Sequence, residues 1–129
     1  MDKPRHDAGM KARREVLGDQ YVDRAVKGAN EFTRPFQELV TEYCWGVCWT
    51  DDNLSRQQRS LLNLGMLAAL GRSEEFELHF RGALGNGLSR DELQSALIQI
   101  AVYCGIPAGI DCFRIARRVI DEEDGRAKA

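Results

Sequence analysis

The sequence has few histidines and no closely spaced cysteine pair, which limits the metal and redox chemistry it can support. Its 129 residues include only two histidines, His6 and His79. The cysteines are Cys44, Cys48, Cys104 and Cys112. None forms a Cys-x-x-Cys pair, and the four-residue spacing of the first two suits neither a redox pair nor a common zinc knuckle. We therefore expect no metal site and four reduced, mostly buried thiols.

Strong positive charge and long apolar runs are also missing. The net charge is −2 and the isoelectric point is about 5.7, so nothing indicates a nucleic-acid-binding face. No stretch approaches the roughly 18 apolar residues that a membrane span requires. The first ten residues are polar and contain no apolar signal core. The expectation is a cytoplasmic protein that binds neither membrane nor nucleic acid.

Alternating strand patterns and internal repeats are absent, whereas apolar residues recur at helical spacing along most of the chain. A length of 129 residues suits one domain. We predict an all-α fold in which six or seven helices form a single compact bundle over residues 1–129. The polar ends, residues 1–8 and 123–129, are expected to be loose.

The segment from Arg72 to Gly87 carries the one histidine that lies on an apolar helical face. Ser73 is a candidate N-cap of this helix, and Gly87 suits its end. The apolar face consists of Phe76, His79, Phe80, Ala83 and Leu84. An imidazole on such a face is either a core histidine or a catalytic acid, and the spacing alone does not separate the two.

A second helix is predicted from Thr33 to about Trp49, with Pro35 in its first turn. A period of 3.6 residues assigns it a core face made of Phe36, Leu39, Val40, Tyr43 and Val47. Another line on the same helix contains Glu38, Glu42, Trp45 and Trp49. Two tryptophans outside the core face must be covered by a loop, a ligand pocket or a second subunit. Of these we favour a subunit interface combined with a pocket wall.

The remaining helices are marked by their caps and breaks. Ser55 with Gln58 and Ser89 with Glu92 have the spacing of capping boxes. The first box precedes a helix that is apolar nearly all round, which predicts a central buried position. The helix that follows the second box has an apolar stripe made of Leu93, Ala96, Leu97, Ile100 and Ala101. Gly105 and Pro107 then interrupt the helical pattern. A final helix is predicted from Ala108 to about Glu123, and its apolar residues include Ile110, Phe113, Ala116 and Ile120.

Four stretches together resemble a known family. They are TEYCWG, RSLLNLGML, ELHFRGALGNG and QIAVYCGIPAG. The sequence resembles the carboxymuconolactone decarboxylase family, within the alkyl hydroperoxidase D-like superfamily, from about Gly18 to Glu122. The resemblance implies an all-α homo-oligomer, a hexamer or a trimer. It also implies decarboxylation of 4-carboxymuconolactone to the β-ketoadipate enol-lactone in protocatechuate catabolism, with no cofactor.

The thiol reductases of that superfamily carry Cys-x-x-Cys four residues before the matching histidine. The corresponding residues here, Arg72 to Glu75, contain no cysteine, so the nucleophile of that chemistry is missing. Two alternatives to the decarboxylase stay open. One is a thiol-dependent peroxide or disulfide reductase, and the other is a non-enzymatic oligomer that binds a small ligand.

The resemblance also suggests roles for individual side chains around a lactone carboxylate. His79 is the candidate proton donor or oxyanion partner, and Glu42 is the candidate group that orients it. Arg59 and Arg81 are candidate carboxylate clamps, because a guanidinium pairs with a carboxylate through two hydrogen bonds. The other candidate substrate-binding residues are Arg34, Trp45 and Tyr103. Structural alternatives remain for each: core packing for the aromatic residues, and helix capping or ion pairing for the charged ones.

Overall fold

The computed structural model describes residues 1–128, and in this range the protein consists of helices joined by short turns. The α-helices are α1 (Lys3–Leu17), α2 (Asp19–Lys27), α3 (Arg34–Leu39), α4 (Arg56–Ala69), α5 (Ser73–Gly85), α6 (Arg90–Cys104) and α7 (Ile106–Lys128). A π-helix, Val40–Trp49, continues directly from α3. The predicted all-α class and the number of helices are confirmed. Among the described residues, no helix is long and apolar enough to cross a membrane.

The chain divides into two compact units, and the division falls at the start of α4. The first unit comprises Met1–Arg56, and the second begins at Gln57. The expected single domain therefore stays a prediction. Most of both ends that were expected to be loose is helical, since residues 3–8 belong to α1 and residues 123–128 belong to α7, while residue 129 lies outside the described residues.

In the first unit, α1 lies against the π-helix at very short range. A Cβ atom at Gly9 would lie 2.0 Å from the carbonyl oxygen of Thr41, and one at Gly46 would lie 2.5 Å from the carbonyl oxygen of Arg5. Only glycine leaves room for two backbones to approach in this way. The two glycines therefore set the distance between α1 and the π-helix.

The buried face of the π-helix is opposite to the one that the sequence predicts. Trp45 and Trp49 are buried, stack with ring centroids 5.0 Å apart and pack with Ala12 and Val16 of α1. Four members of the predicted core face are instead exposed: Phe36, Leu39, Tyr43 and Val47. The interpretation of Trp45 and Trp49 as part of a subunit interface is wrong, because α1 of the same chain covers them, whereas their part in a pocket wall stays a prediction.

The reversal is a choice between two faces of one helix and is not an effect of turn length. In an α-helix, residues four apart drift around the axis by about 40° per step, so Thr41, Trp45 and Trp49 share one face at that period as well. In a π-helix, with hydrogen bonds from i to i+5, the drift has the opposite sign and a similar size. Both faces carry apolar side chains, and α1 covers the one with Trp45 and Trp49. The apolar pattern alone does not show which of two apolar faces is covered.

A buried arginine joins α1 to the junction between α3 and the π-helix. Arg13 Nη1 donates to Gln37 Oε1 of α3 and to Thr41 Oγ1 of the π-helix, each at 3.1 Å. Burial lowers the pKa of the Arg13 guanidinium, because a charged group loses its hydration there. The side chain therefore links the two helical segments at the residue where the geometry changes.

The second unit has its own apolar core. Its largest fully buried side chains are Leu64, Phe76, Phe80, Leu93, Leu97 and Val119. The face predicted for α5 is confirmed, since Phe76, Phe80 and Ala83 are all buried. The stripe predicted for α6 is confirmed at Leu93, Leu97 and Ile100.

The helix ends in the second unit follow the sequence signals with two exceptions. Ser89 Oγ accepts from the Glu92 N–H and the Glu92 side chain accepts from the Ser89 N–H, which confirms the capping box. Gly105, at φ +107°, separates α6 from α7 as predicted, but Pro107 lies in the first turn of α7, which begins at Ile106 and not at Ala108. Ser73 does not cap α5 but is its first residue, and its hydroxyl donates to Asp111 of α7 at 2.7 Å.

Three burial predictions are corrected. The helix α4 is not buried all round, since Leu62 and Met66 are exposed, as is Leu70 directly after the helix, and its fully buried residues are Ser60 and Leu64. In α7 the exposed residues include Ile110 and Phe113. Of the four free cysteines, Cys44, Cys48 and Cys104 are exposed and only Cys112 is buried. A helix in a small unit packs one stripe, so an apolar run cannot show which of its sides is covered.

Candidate active site

His79 lies in the middle of α5, on the side of the helix that faces the core of the second unit. Phe76, one turn earlier, and Phe80, the next residue, are each 1% exposed. Their rings stack with centroids 6.3 Å apart. Because these two aromatic side chains fix the rotation of α5, they also fix the direction in which the half-buried imidazole of His79 leaves the helix.

Asn63 of α4 lies beside the imidazole. Its Nδ2 atom is 3.5 Å from Nδ1 of His79, and both side chains are partly buried. Sequence reasoning missed this residue. The available signal was a lone amide side chain in the otherwise apolar run SLLNLGML, where a polar group needs a partner if it is buried.

Burial lowers the pKa of His79 below its usual value, because the imidazolium loses hydration. Glu75, one turn earlier on α5, acts in the opposite direction through its negative charge, but its effect is smaller. Glu75 itself pairs with Arg72 at 2.7 Å, and this pairing lowers the pKa of its carboxyl. At neutral pH the imidazole of His79 is therefore predominantly uncharged.

Arg59 belongs to the same face of α4 as Asn63. The two residues are four positions apart in an α-helix, which places them one above the other. Arg59 is half-buried, so its guanidinium is partly shielded from water. A cation, an amide and an imidazole thus come from two helices of one unit, and Asn63 contacts the imidazole.

Arg81 is engaged in ion pairs between α5 and α7. Its Nη2 atom is 2.5 Å from Glu122 Oε2 and 3.4 Å from Glu77 Oε2. Glu77 also pairs with Arg118 of α7. A substrate carboxylate at Arg81 would compete with these carboxylates, so the contacts favour a structural role over that of a clamp.

Three of the other candidates belong to the first unit. Arg34 is the exposed first residue of α3, and Trp45 is buried against α1. Glu42 is 7% exposed, and its Oε1 atom accepts from the Asp2 N–H at 3.1 Å and from Arg5 Nη1 at 3.4 Å. The proposed orientation of His79 by Glu42 is not among these contacts and stays a prediction.

Tyr103, in the last turn of α6, is 84% exposed. A side chain so exposed can line a pocket only if another molecule covers it. Within residues 1–128, no group of three or more histidine, cysteine, aspartate or glutamate side chains is arranged to hold a metal ion.

Comparison with known proteins assigns the chain to a family. The sequence model of the carboxymuconolactone decarboxylase family matches residues 34–118, which is more than half of the chain. This chain belongs to the carboxymuconolactone decarboxylase family. The match includes the π-helix as well as α4, α5 and α6, and therefore both His79 and Asn63.

Individual relatives agree with this assignment. A nitrosuccinic acid decarboxylase of Metarhizium robertsii is 43% identical over 116 residues, which cover 90% of this chain and 81% of that protein. A 4-carboxymuconolactone decarboxylase of Acinetobacter baylyi is 34% identical over 121 residues, covering 94% of this chain and 90% of that protein. A further 4-carboxymuconolactone decarboxylase, from Pseudomonas putida, is 49% identical over 45 residues, or 35% of this chain and 94% of that sequence.

The family and these relatives identify the chain as a carboxy-lyase. This class replaces both alternatives that the sequence left open, the thiol reductase and the non-enzymatic binding protein. The relatives differ in the acid that they decarboxylate, so the substrate of this member is a separate question.

Proposed function

We propose that this carboxy-lyase decarboxylates 4-carboxymuconolactone to the β-ketoadipate enol-lactone without a cofactor. The observation that carries the proposal is the similarity to a 4-carboxymuconolactone decarboxylase over 94% of this chain. The half-buried imidazole of His79 beside Asn63 supports it, because the reaction needs a donor for a developing oxyanion.

The substrate itself can accept the electrons that the reaction releases. The bond between the ring carbon C4 and its carboxylate breaks, and carbon dioxide leaves. The electron pair moves through the ring double bond onto the lactone carbonyl oxygen, which gives a dienolate. A proton then adds to the ring carbon next to the carbonyl and restores the lactone. The protein must bind two carboxylates, stabilise the oxyanion and supply this proton.

We assign the oxyanion to His79 and a substrate carboxylate to Arg59. An uncharged imidazole is a poor acid toward carbon but a good hydrogen-bond donor, so the lowered pKa of His79 favours the oxyanion role over that of proton donor. Arg59 is the clamp, because it lies on the α4 face of Asn63. Roles in substrate binding for Arg34, Trp45 and Tyr103, and in orientation for Glu42, remain proposals for mutagenesis.

A second candidate substrate is nitrosuccinate. The specific observation in its favour is the 43% identity to a nitrosuccinic acid decarboxylase over 90% of this chain. The chemistry is parallel: loss of carbon dioxide from the carbon that carries the nitro group sends the electron pair onto a nitro oxygen, and a proton then adds to the same carbon. Both candidates are dicarboxylic acids with an internal electron sink.

The test is to supply each acid separately to the purified protein and to follow carbon dioxide release together with the product by NMR. Fast release from the lactone supports the proposal. Release from nitrosuccinate alone moves the function to the second candidate. No release above background from either acid, with a folded protein, would contradict the decarboxylation of both substrates.

We also propose that the working form is a homo-oligomer, a trimer or a hexamer. Large apolar side chains are exposed on the single chain, among them Val102 at 72%, Ile106 at 65% and Leu70 at 74%. Exposed apolar surface of this kind is typical of subunit interfaces. Sedimentation equilibrium gives the oligomer number, and a monomer at all concentrations would contradict the proposal.

A further inference from the structure

The orientation of the Asn63 amide beside His79 favours one tautomer of the ring. The amide nitrogen Nδ2 of asparagine carries only donor hydrogens, and it is this atom that lies 3.5 Å from Nδ1 of His79. A donor facing Nδ1 requires Nδ1 to be the acceptor. In an uncharged imidazole one nitrogen accepts and the other carries the proton, so the proton is then on Nε2.

The surroundings hold both partners of this contact in place. Phe76 and Phe80 pack in the core on either side of His79 along α5. On α4, Leu64 follows Asn63 directly and is fully buried in the same core. Because both helices are anchored next to the polar pair, the amide and the ring cannot easily move apart.

The charges near His79 do not reverse this arrangement. Glu75 is the carboxylate that acts on His79, and it is drawn into a pair with Arg72 at 2.7 Å. Burial outweighs the effect of Glu75, so the ring stays predominantly uncharged at neutral pH. An uncharged ring is the condition under which a tautomer has to be selected.

We propose that Asn63 is a positioning residue that holds His79 in the tautomer protonated at Nε2, so that the Nε2–H group is the donor offered to the developing oxyanion. The tautomer rests on the contact alone, whereas its catalytic consequence rests on the proposed function. It follows that His79 stabilises charge on oxygen without giving up a proton. The proton that reaches carbon comes from a different group.

Long-range proton–nitrogen correlation NMR measures the tautomer directly, because the two ring nitrogens give different coupling patterns in each form. The chain has only two histidines, so a His6→Gln variant assigns the spectrum. We expect the wild type, at a pH above the titration of His79, to show the pattern of protonated Nε2. The pattern of protonated Nδ1 in the wild type would overturn the proposal.

Two substitutions of Asn63 sharpen the test. An Asn63→Asp side chain is nearly isosteric but offers acceptors only, so we expect the proton to move to Nδ1. An Asn63→Leu side chain removes the donor and should give a mixture of tautomers. An unchanged protonated Nε2 in both variants would contradict the role of Asn63, and the isosteric Asp variant keeps the test open if the Leu variant does not fold.

Asn86 provides a matched control in the same unit. Its Nδ2 atom donates to Ser60 Oγ at 2.9 Å, so Asn86→Leu also removes a partly buried amide hydrogen bond. We expect this variant to keep the wild-type tautomer of His79. A shift as large as that of Asn63→Leu would mean that the NMR pattern reports general loosening of the unit and would overturn the inference.

The catalytic consequence is read separately as a change in kcat. Loss of a hydrogen bond worth about 1 kcal/mol corresponds to a roughly fivefold fall in rate, so Asn63→Leu should lose about this factor or more in kcat with little change in KM. If the wild type decarboxylates neither candidate acid, the proposed function fails but the NMR result still decides the tautomer. If the tautomer changes while kcat does not, Asn63 positions a ring that catalysis does not use, and the inference is wrong.

Discussion

The helix that carries His79 and the π-helix that carries the two tryptophans show opposite relations between sequence and structure. In α5 a period of 3.6 residues selects Phe76 and Phe80, and both are buried. In the π-helix the same rule selects Tyr43 and Val47, which are about half exposed, while Trp45 is buried. An apolar pattern therefore locates the buried face where a helix has one apolar face, as α5 does, and leaves the choice open where it has two.

The difference has a local cause in the packing of backbone against backbone. Gly9 and Gly46 let α1 approach the π-helix closely, and this close contact covers the tryptophan line. The helix α5 has side chains at its interface, and its apolar stripe follows the usual spacing. Four substitution pairs test this contrast and the site that depends on α5.

The largest effect on stability is expected when a side chain of the observed core is removed, in comparison with one of the core face predicted from the sequence. Trp45→Ala should lower the free energy of unfolding by about 3–5 kcal/mol, because it empties a buried aromatic site. Phe36→Ala, at a residue 62% exposed, should change it by less than about 1 kcal/mol. Chemical denaturation at several protein concentrations measures both. Equal losses of unfolding free energy in both variants would contradict the difference in burial and would support the core face predicted from the sequence.

The glycine contact should give the next largest effect. Gly9→Ala places a methyl group 2.0 Å from a backbone oxygen, so the helices must separate, at a cost of about 3 kcal/mol. Gly65→Ala in α4 meets no atom within 4 Å and should stabilise the helix by about 0.5–1 kcal/mol. Thermal unfolding compares the stabilities of the two variants. A Gly9→Ala variant as stable as the wild type would contradict the close approach of α1 to the π-helix.

A smaller effect separates the two arginines proposed from the sequence as clamps. Arg59→Gln should reduce kcat/KM by about 10- to 100-fold, the range for a lost hydrogen bond to a charged group. Arg81→Gln should reduce it by less than about threefold, because Arg81 pairs with Glu122 and Glu77. Steady-state kinetics with the accepted acid tests this order. The reverse order would make Arg81 the clamp.

The smallest effect concerns the pKa of His79. Glu75→Gln removes the negative charge that raises this pKa, so the value should fall further below about 6.5. Glu74→Gln, at the exposed neighbouring position, should change it less. Titration followed by NMR of the imidazole protons gives both values. A rise in the Glu75→Gln variant would contradict burial and Glu75 as the causes of the shift.

Much of the second unit is predictable from the sequence because its signals are local. The capping box at Ser89 and Glu92 and the break at Gly105 depend on neighbouring residues, and both are present in the structure. The burial of Phe76 and Phe80 depends on a regular α-helical period, and α5 has that period. These features need no knowledge of which helix packs where.

The first unit and the partner of His79 depend on tertiary contacts, which the sequence pattern does not contain. The α-to-π change after Leu39 occurs where Arg13 reaches Gln37 and Thr41 from another helix. Asn63 is 16 positions from His79, and no spacing rule links residues so far apart on different helices. Residue type suggests Arg81 as a clamp, but no spacing rule predicts its pairing with Glu122, 41 positions later.

The most direct test of the oxyanion role of His79 is the decarboxylation rate of His79→Ala beside that of His6→Ala under saturating substrate. We expect His79→Ala to lose about 10²–10³ in kcat, as for removal of one oxyanion donor, while His6→Ala stays within about threefold of the wild type. Equal kcat values for a folded His79→Ala variant and the wild type would contradict this role, because they would make the imidazole of His79 a structural group in an enzyme whose oxyanion is stabilised elsewhere.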